Sequence, residues 1–333
     1  MSATRENGRP PAPGRPGTSR WADLAGPLHY LDFGGPEAGP VVVAVHGLGG
    51  SALNWIAVAP LLTGTCRLIA PDLAGHGLTQ ALGRPTTVPA NRELLHRFIE
   101  RVPGEPVILM GNSMGGMISL IEAGLCPRAV SGLVLLDPAA AFVPALPDPL
   151  VAAVFMVYTA PWFGTAMMAR RRALPAETVV PLILRLICAD PAKVPPEVVH
   201  EHIELTRRRG ELGLTHVERD FVHAARSVVR TAGGMPGSAY RRAIRAVRAP
   251  ALVVHGERDR LVPAAASRAL VRSHPWWDLV VLPGVGHVPQ MEAPRETAAE
   301  VLRWLAAPKA AAAVAAATHA LSGGTPGPTA TSP

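Results

Sequence analysis

Residues 107–116 constrain the fold of this chain more than any other segment. An apolar run, Val-Ile-Leu-Met, leads directly into Gly-Asn-Ser-Met-Gly-Gly, so Ser113 stands between Gly111 and Gly115. This spacing predicts a buried strand, a tight turn with a strained serine at its tip, and then a helix. The two glycines keep side chains away from the turn, where strand and helix approach closely. The hydroxyl of Ser113 is therefore expected at the edge of a sheet.

Two later apolar runs end beside residues that could activate a serine. Residues 251–255 predict a buried strand, and the loop after it carries Asp259. Residues 279–282 predict another strand, and the loop after that one carries His287. In open α/β sheets, the loops at the carboxyl ends of the strands meet in one crevice. We therefore expect Asp259 and His287 to converge with Ser113.

These residue types act together in acyl-transfer chemistry. A serine hydroxyl becomes a good nucleophile when a neutral imidazole accepts its proton and a carboxylate holds the other ring nitrogen. Ser113, His287 and Asp259 would fill these three roles. The negative oxygen that forms on an attacked carbonyl needs backbone N–H donors. We expect them from Met114, at a helix N-terminus, and from Leu48, in a glycine-rich loop after an early apolar strand.

Together, these motifs resemble the α/β-hydrolase superfamily, in particular its lid-bearing, esterase-like serine hydrolases. His-Gly at 46–47, Pro-Asp-Leu-Ala-Gly-His-Gly at 71–77, the serine turn, and the loops of Asp259 and His287 fall in the family's order over residues 30–305. The resemblance implies an α/β-hydrolase fold: a mostly parallel central sheet with helices on both faces and a helical lid insertion. The serine turn is also similar to that of hydrolases that cleave carbon–carbon bonds of ring-fission products.

The resemblance also predicts how the chain is divided. Residues 1–20 are rich in Pro, Gly and Arg and lack the apolar run of a signal peptide, so we expect a disordered leader. Residues 21–138 and 243–307 should form the hydrolase core, and residues 139–242 the helical lid. Residues 308–333, rich in Ala and then in Gly, Thr and Pro, should form a low-complexity tail.

Several other polar residues compete for roles in the same loops. Asp72 and His76 lie in a glycine-rich turn that supports the site in this family, and local hydrogen bonds explain both. His46, before the glycine-rich loop, is expected to be a buried support. Asp137, directly after an apolar strand, is a rival to Asp259, because some family members place their carboxylate there.

The first part of the lid is expected to choose the substrate. Residues 150–169 carry no charge, and hydropathy alone would allow a membrane span. Pro161 and Gly164 interrupt this segment, and a span would separate residues that must meet, so an apolar lid over an acyl pocket is the better interpretation. The pocket candidates are the aromatic residues and methionines of this region: Phe142, Phe155, Met156, Tyr158, Trp162, Phe163, Met167 and Met168.

Charge and cysteine usage limit the remaining functions. The three scattered cysteines favour a reducing, cytoplasmic setting over a disulfide framework. The net charge of +7 comes mainly from arginine clusters, which leave open a peripheral association with anionic membrane surfaces or the steering of acidic substrates. No nucleic-acid-binding motif accompanies this charge, so no nucleic-acid partner is expected. The remaining histidines lack metal-ligand spacing, so neither a metal nor a cofactor is expected.

The function expected from these features is a serine hydrolase that cleaves carboxylic esters of hydrophobic small molecules through an acyl-serine intermediate. Three alternatives stay open: a carbon–carbon bond hydrolase of ring-fission-type diketones, a peracid or acyl transferase, and a hydrolase-like ligand-binding protein. The physiological substrate, its acyl length and the oligomeric state stay open as well.

Overall fold

Apolar, largely β-branched runs form the strands of one central sheet. The computed structural model describes residues 17–140, 148–160, 163–212, 217–234, 237–308 and 310–313. Within these residues the sheet has eight strands: β1 (Thr18–Asp23), β2 (Pro27–Gly34), β3 (Val41–Val45), β4 (Arg67–Pro71), β5 (Val107–Asn112), β6 (Val130–Leu136), β7 (Ala251–Gly256) and β8 (Asp278–Leu282).

The order of the strands across the sheet is β1-β2-β4-β3-β5-β6-β7-β8. β2 pairs antiparallel with β1 and β4, and every other neighbouring pair is parallel. All carboxyl ends from β3 to β8 therefore lie at one edge of the sheet, as in other open α/β sheets. This arrangement confirms the predicted mostly parallel sheet.

Helices cover both faces of the sheet. They are α1 (Ala59–Leu62), α2 (Val88–Arg101), α3 (Met114–Leu125), α4 (Pro149–Thr159), α5 (Phe163–Arg172), α6 (Ala176–Ile187), α7 (Pro196–Glu211), α8 (Val217–Ala232), α9 (Ala239–Ala246), α10 (Ala264–Arg272), α11 (Pro289–Glu292) and α12 (Pro294–Ala306). Short 3-10 turns occur at Ala52–Trp55 and Pro191–Lys193.

Two apolar layers hold the helices on the sheet. Side chains alternate between the two faces of a strand. Val43 and Leu109 pack with α2 and α3 in one layer, whereas Val42 and Ile108 pack with α1 and α12 in the other. Because both faces are buried, the central strands are almost continuously hydrophobic.

The limits of the predicted segments differ from the structure in three places. Thr18–Asp23 forms β1, because its backbone pairs along its whole length with β2, so the predicted leader 1–20 overlaps a strand. The lid boundary at 242 falls inside α9. This helix packs on α3 so closely that a Cβ at Gly124 would lie 2.1 Å from the carbonyl oxygen of Ala243. In the predicted tail, Ala310 is buried in the α12 layer. Residues 1–16 and 314–333 lie outside the described residues.

The region between β6 and β7 supplies α4 to α9. In the part of the chain that the structure describes, no single helix has the length and hydropathy to cross a membrane. α4 and α5, which meet at a bend of 100°, satisfy those two criteria only when taken together.

Candidate active site

The turn between β5 and α3 holds Ser113 in a strained conformation. Its φ is 52°, in the left-handed region, and its N–H donates to the carbonyl of Leu136 at 3.0 Å. The Ser113 side chain does not cap α3, so the hydroxyl is left for another partner. A Cβ at Gly115 would lie 2.0 Å from the carbonyl oxygen of Val45, so only glycine allows α3 to approach β3 this closely. The predicted strand–serine–helix turn is therefore present.

His287 and Asp259 are hydrogen-bonded to each other. Nδ1 of His287 lies 2.7 Å from Oδ2 of Asp259, and both side chains are almost fully buried. The other oxygen of Asp259 accepts the N–H groups of Leu261 and Val262, at 2.7 and 3.1 Å, which fixes the carboxylate. A carboxylate at Nδ1 selects the tautomer that leaves the lone pair of Nε2 available. His287 is thus oriented to accept a proton.

Asn112 links the serine turn to the loop after β8 that carries His287 (the histidine loop). Its Nδ2 donates to the carbonyl of His287 at 3.0 Å and to that of Leu136 at 3.1 Å. The glycine-rich loop reaches the same place, since a Cβ at Gly47 would lie 3.2 Å from the Cβ of Ser113. The loops after β3, β5 and β8 therefore meet at one point. The sequence analysis did not identify Asn112, whose only signal is an amide at the end of a fully buried strand.

The two expected oxyanion donors belong to elements that adjoin Ser113. Met114 is the first residue of α3, where the N–H has no acceptor within the helix. Leu48 follows Gly47 and precedes Gly49, whose φ of 72° turns the loop. Its N–H therefore belongs to the loop that contacts the serine turn.

Hydrogen bonds from three buried side chains fix the loops after β3 and β4. These side chains are Asp72, His76 and His46. Asp72 accepts N–H groups from Ala52 at 2.7 Å and from Leu78 at 2.8 Å. His76 bonds the carbonyl of Ala74, and burial lowers the pKa of His76 to about 3. His46 lies between two loops: Nδ1 donates to the Gly47 carbonyl at 2.8 Å, and Nε2 accepts the Leu73 N–H at 3.1 Å. Burial lowers the pKa of His46, so it is a neutral support.

Asp137 stands behind Asp259 and does not replace it. Its Oδ1 accepts the Gly256 N–H at 2.9 Å, and its carboxyl group lies close to that of Asp259, with oxygens within 4.8 Å of each other. Burial and the charge of Asp259 raise the pKa of Asp137 well above its usual range. Burial would also raise the pKa of Asp259, but His287 outweighs it and lowers that pKa. Asp259 is therefore the ionised partner of His287, and the raised pKa of Asp137 favours its protonated form.

His255 completes the buried network around the two carboxylates. Its Nε2 donates to the carbonyl of Val262 at 2.9 Å, and its Nδ1 accepts from the hydroxyl of Ser267 at 2.8 Å. Burial lowers the pKa of His255, which keeps the ring neutral. The possible ligand atoms of His255, Asp137 and Asp259 lie within 4.8 Å of one another, which is close enough for a metal site. The hydrogen bonds described above already engage all three side chains.

The end of α6 is fastened to the histidine loop. The N–H of His287 donates to the carbonyl of Ile187 at 2.8 Å. The buried carboxylate of Glu292 accepts N–H groups from Gly286 at 2.8 Å, Ala189 at 3.2 Å and Asp190 at 2.8 Å. One side chain therefore holds the lid insertion and the loop of His287 together. Glu292 was not predicted, because Ala189 and Asp190 are distant from it along the chain.

An aromatic pair lies over the glycine-rich loop. A Cβ at Gly49 would lie 3.0 Å from the ring of Phe221, on α8, and that ring contacts Tyr158 edge-on with centroids 5.6 Å apart. Among the other pocket candidates Met168 is buried, whereas Met156, Phe163 and Met167 are exposed. Phe142, Trp162 and the side chain of Phe155 lie outside the described residues. The apolar contact nearest the loop therefore includes Phe221, which was not predicted.

A protein-family model and several known proteins match this chain over most of its length. A family model described as "Alpha/beta hydrolase family" matches residues 42–300. The dihydrolipoyllysine-residue acetyltransferase component of the acetoin cleaving system of Pseudomonas putida is 30% identical over 84% of this chain, which spans 66% of that protein, just under two thirds. The pimeloyl-[acyl-carrier protein] methyl ester esterase of Aromatoleum aromaticum is 29% identical, over 78% of this chain and 95% of that protein.

Solved structures agree with these comparisons at the level of fold. The 2-hydroxy-6-oxo-6-phenylhexa-2,4-dienoate hydrolase from Rhodococcus is similar with a TM-score of 0.67 at 23% identity. The similarity covers 87% of this chain and 100% of that one. At this identity the similarity supports the fold of the sheet and its helices alone.

Proposed function

This chain belongs to the alpha/beta hydrolase family, and from that premise we propose that it is a serine hydrolase that cleaves carboxylic esters of hydrophobic small molecules. The observation that supports this proposal best is the 2.7 Å hydrogen bond between His287 and Asp259, beside a serine in a strained turn. An oriented imidazole next to a hydroxyl is what acyl-serine chemistry requires.

The first step is attack by Ser113 on the ester carbonyl. The hydroxyl proton passes to Nε2 of His287 while the Oγ–carbon bond forms. Asp259 stabilises the imidazolium, and the N–H groups of Leu48 and Met114 receive the negative oxygen. Collapse of this intermediate breaks the bond to the alcohol, which leaves with the proton from His287.

The second step returns the enzyme to its starting state. Water attacks the acyl group on Ser113, and His287 takes the water proton as general base. The Ser113 ester bond then breaks, the acid is released, and the proton returns to the serine oxygen. Overall one ester and one water yield one acid and one alcohol, and no external reductant or oxidant is needed.

A hydrophobic substrate fits the surroundings of the glycine-rich loop. Phe221 lies on Gly49 and packs against Tyr158, so an apolar surface adjoins the expected oxyanion donors. Apolar and aromatic walls with a few placed polar groups are typical of small-molecule sites. The methyl ester esterase among the relatives favours an ester over other acyl compounds.

The test uses a graded series of p-nitrophenyl esters with the wild type, Ser113→Ala and Ser273→Ala. Ser273 is an exposed serine at the C-terminal end of α10 and serves as the matched control. We expect turnover with an acyl burst in the wild type and in Ser273→Ala. On the long-chain esters, Ser113→Ala should lose the burst and at least about 10³-fold in kcat.

Two results would contradict the ester proposal. A correctly folded wild type without turnover on any chain length would shift attention to ring-fission diketones. A burst that persists unchanged in Ser113→Ala would assign the nucleophile to another residue.

A further inference from the structure

A second hydrogen-bonded Ser–His–Asp array lies outside the site described above. Oγ of Ser19, on β1, is 2.9 Å from Nε2 of His29, on β2. Nδ1 of His29 is 2.7 Å from Oδ2 of Asp72, which follows β4. Antiparallel pairing of β1 with β2 and of β2 with β4 brings these three residues together. The order of atoms is the one in which a carboxylate orients an imidazole and the imidazole accepts from a serine.

The electrostatics of the array favour this direction of proton transfer. Burial would raise the pKa of Asp72, but its hydrogen bonds to His29 and to the Ala52 N–H lower it. An ionised Asp72 accepts from Nδ1 of His29, so Nε2 presents its lone pair to the Ser19 hydroxyl. The ring of Trp21 contacts His29 edge-on at 5.1 Å and limits its rotation.

The array opens into a cavity. Ser19 is exposed, whereas His29 and Asp72 are buried at 4% and 2% of their full exposure. All three line a cavity of about 430 Å³ between the edge of the sheet and α7. Leucines contribute to its walls, and Arg208 also lines it. A guanidinium in such a place can stabilise negative charge on an attacked carbonyl oxygen.

We propose that Ser19 is a second nucleophilic serine, activated by His29 and Asp72, that accepts the acyl group of small activated carboxylic esters. The Oγ–carbon bond forms as the hydroxyl proton moves to His29, and the ester bond breaks as that proton leaves with the alcohol. Water then releases the acid and restores Ser19. This inference does not rest on the proposed role of Ser113, since the two arrays share no residue.

The experiment labels the Ser113→Ala protein with diisopropyl fluorophosphate. The reaction forms an Oγ–phosphorus bond, breaks the phosphorus–fluorine bond, and releases fluoride with the serine proton. We expect one adduct per chain, on the peptide that contains Ser19, and its loss in Ser113→Ala/Ser19→Ala. Ser19→Ala alone should leave the turnover of Ser113 unchanged, so the two sites fail or succeed separately.

Ser273 provides the internal control. It is exposed and lies 3.0 Å from Nδ1 of His274, but that imidazole is hydrogen-bonded to the carbonyls of Leu270 and Ile244 instead of a carboxylate. Ser19 should react at least about ten times faster than Ser273 in the same protein, in line with general-base assistance. His29→Asn should reduce the Ser19 rate to that of Ser273.

The ratio of the Ser19 and Ser273 labelling rates tests the proposal even when His29→Asn fails to fold, because both rates are measured in the Ser113→Ala protein. An unlabelled Ser19, or one that reacts no faster than Ser273, would overturn the proposal. The array would then be a brace of the β2–β4 edge alone.

Discussion

Asp137 and Asp259 are neighbouring buried carboxylates with opposite protonation. Burial and the adjacent negative charge raise the pKa of Asp137, and His287 lowers that of Asp259 against the effect of burial. The two carboxyl groups lie within 4.8 Å of each other, and to ionise both at this distance is costly. The proton is therefore kept on Asp137. The two carboxyl groups therefore differ in charge: Asp259 carries the negative charge that faces His287, and Asp137 favours the neutral form beside it.

Replacing each of these carboxyl groups by an amide separates the two roles. Asp259→Asn should lower kcat about 10⁴-fold, because an amide neither fixes the tautomer of His287 nor stabilises its charged form. Asp137→Asn keeps a neutral side chain of the same shape in this place, so kcat should stay within about tenfold of the wild type. Steady-state kinetics on a p-nitrophenyl ester measure both variants. Similar losses in the two would contradict this assignment.

Among the elements, β3 and α3 approach each other more closely than side chains would allow. The approach brings the first turn of α3 and the glycine-rich loop together, with the expected oxyanion donors on each. At Gly115 a Cβ would meet the carbonyl of Val45 at 2.0 Å and that of His46 at 2.6 Å, both of them backbone atoms that cannot rotate away.

Gly115→Ala is therefore expected to destabilise the fold. Relief of the clash requires a shift of α3 or β3, at a cost of about 3 kcal/mol in the free energy of unfolding. Gly64→Ala is the matched control, because nothing lies within 4 Å of the Cβ position at Gly64. Urea unfolding followed by circular dichroism compares the two. Equal midpoints for both variants would show that the backbone yields without cost.

The side chain of Glu292 links the segment after α6 to the histidine loop, in addition to the backbone bond between His287 and Ile187. We expect Glu292→Ala to lower kcat/KM about 10- to 100-fold, because His287 loses its fixed position and small displacements of catalytic groups are costly. The buried N–H of Gly286 and the partly buried N–H groups of Ala189 and Asp190 would also lose their acceptor, which lowers stability by about 1–3 kcal/mol for the buried group.

Glu292→Gln tests whether position or charge matters, since the amide oxygen still accepts part of these bonds. It should recover part of kcat, with KM near the wild-type value. Glu296→Ala removes an exposed glutamate nearby on α12 and should change neither constant. A Glu292→Ala variant that loses stability but keeps kcat would mean that Glu292 is only a structural fastening.

For the molecule as a whole, buried neutral histidines make stability depend on pH. Burial lowers the pKa of His76 from 6.5 to about 3, and it also lowers those of His46 and His255. Below pH 6.5 the unfolded chain binds protons that the folded chain excludes. Stability that is present above pH 6.5 is therefore lost as the pH falls.

The free energy of unfolding should fall by about 1.4 kcal/mol per pH unit for each such histidine below pH 6.5. His76→Gln should reduce this slope by one proton between pH 6.5 and about 3. Urea titrations at several pH values between 4 and 7 measure the slope. An unchanged slope in His76→Gln would show that this ring is protonated in the folded protein.

Local patterns predicted much of the fold, and long-range contacts accounted for the differences. The strands predicted at 251–255 and 279–282 are β7 and β8, with bounds that differ by one residue each, because hydrophobic runs mark them locally. The bonds of Asn112 and Glu292 join distant segments and leave no local signal. α9 joins the core through its contact with Gly124, which periodicity does not reveal. The cytoplasmic location and the association with anionic membranes stay predictions.

The strand order has a consequence for biosynthesis. β5 carries Ser113 at the middle of the sheet, and β8, which leads to His287, forms the far edge beside β7. Since a nascent chain emerges from its N-terminus, the serine turn leaves the ribosome long before its histidine does. A half-made chain can already present a strained serine, yet it has no base for it. The proposed site of Ser113 therefore stays incomplete until the last strand of the sheet has been translated and docked.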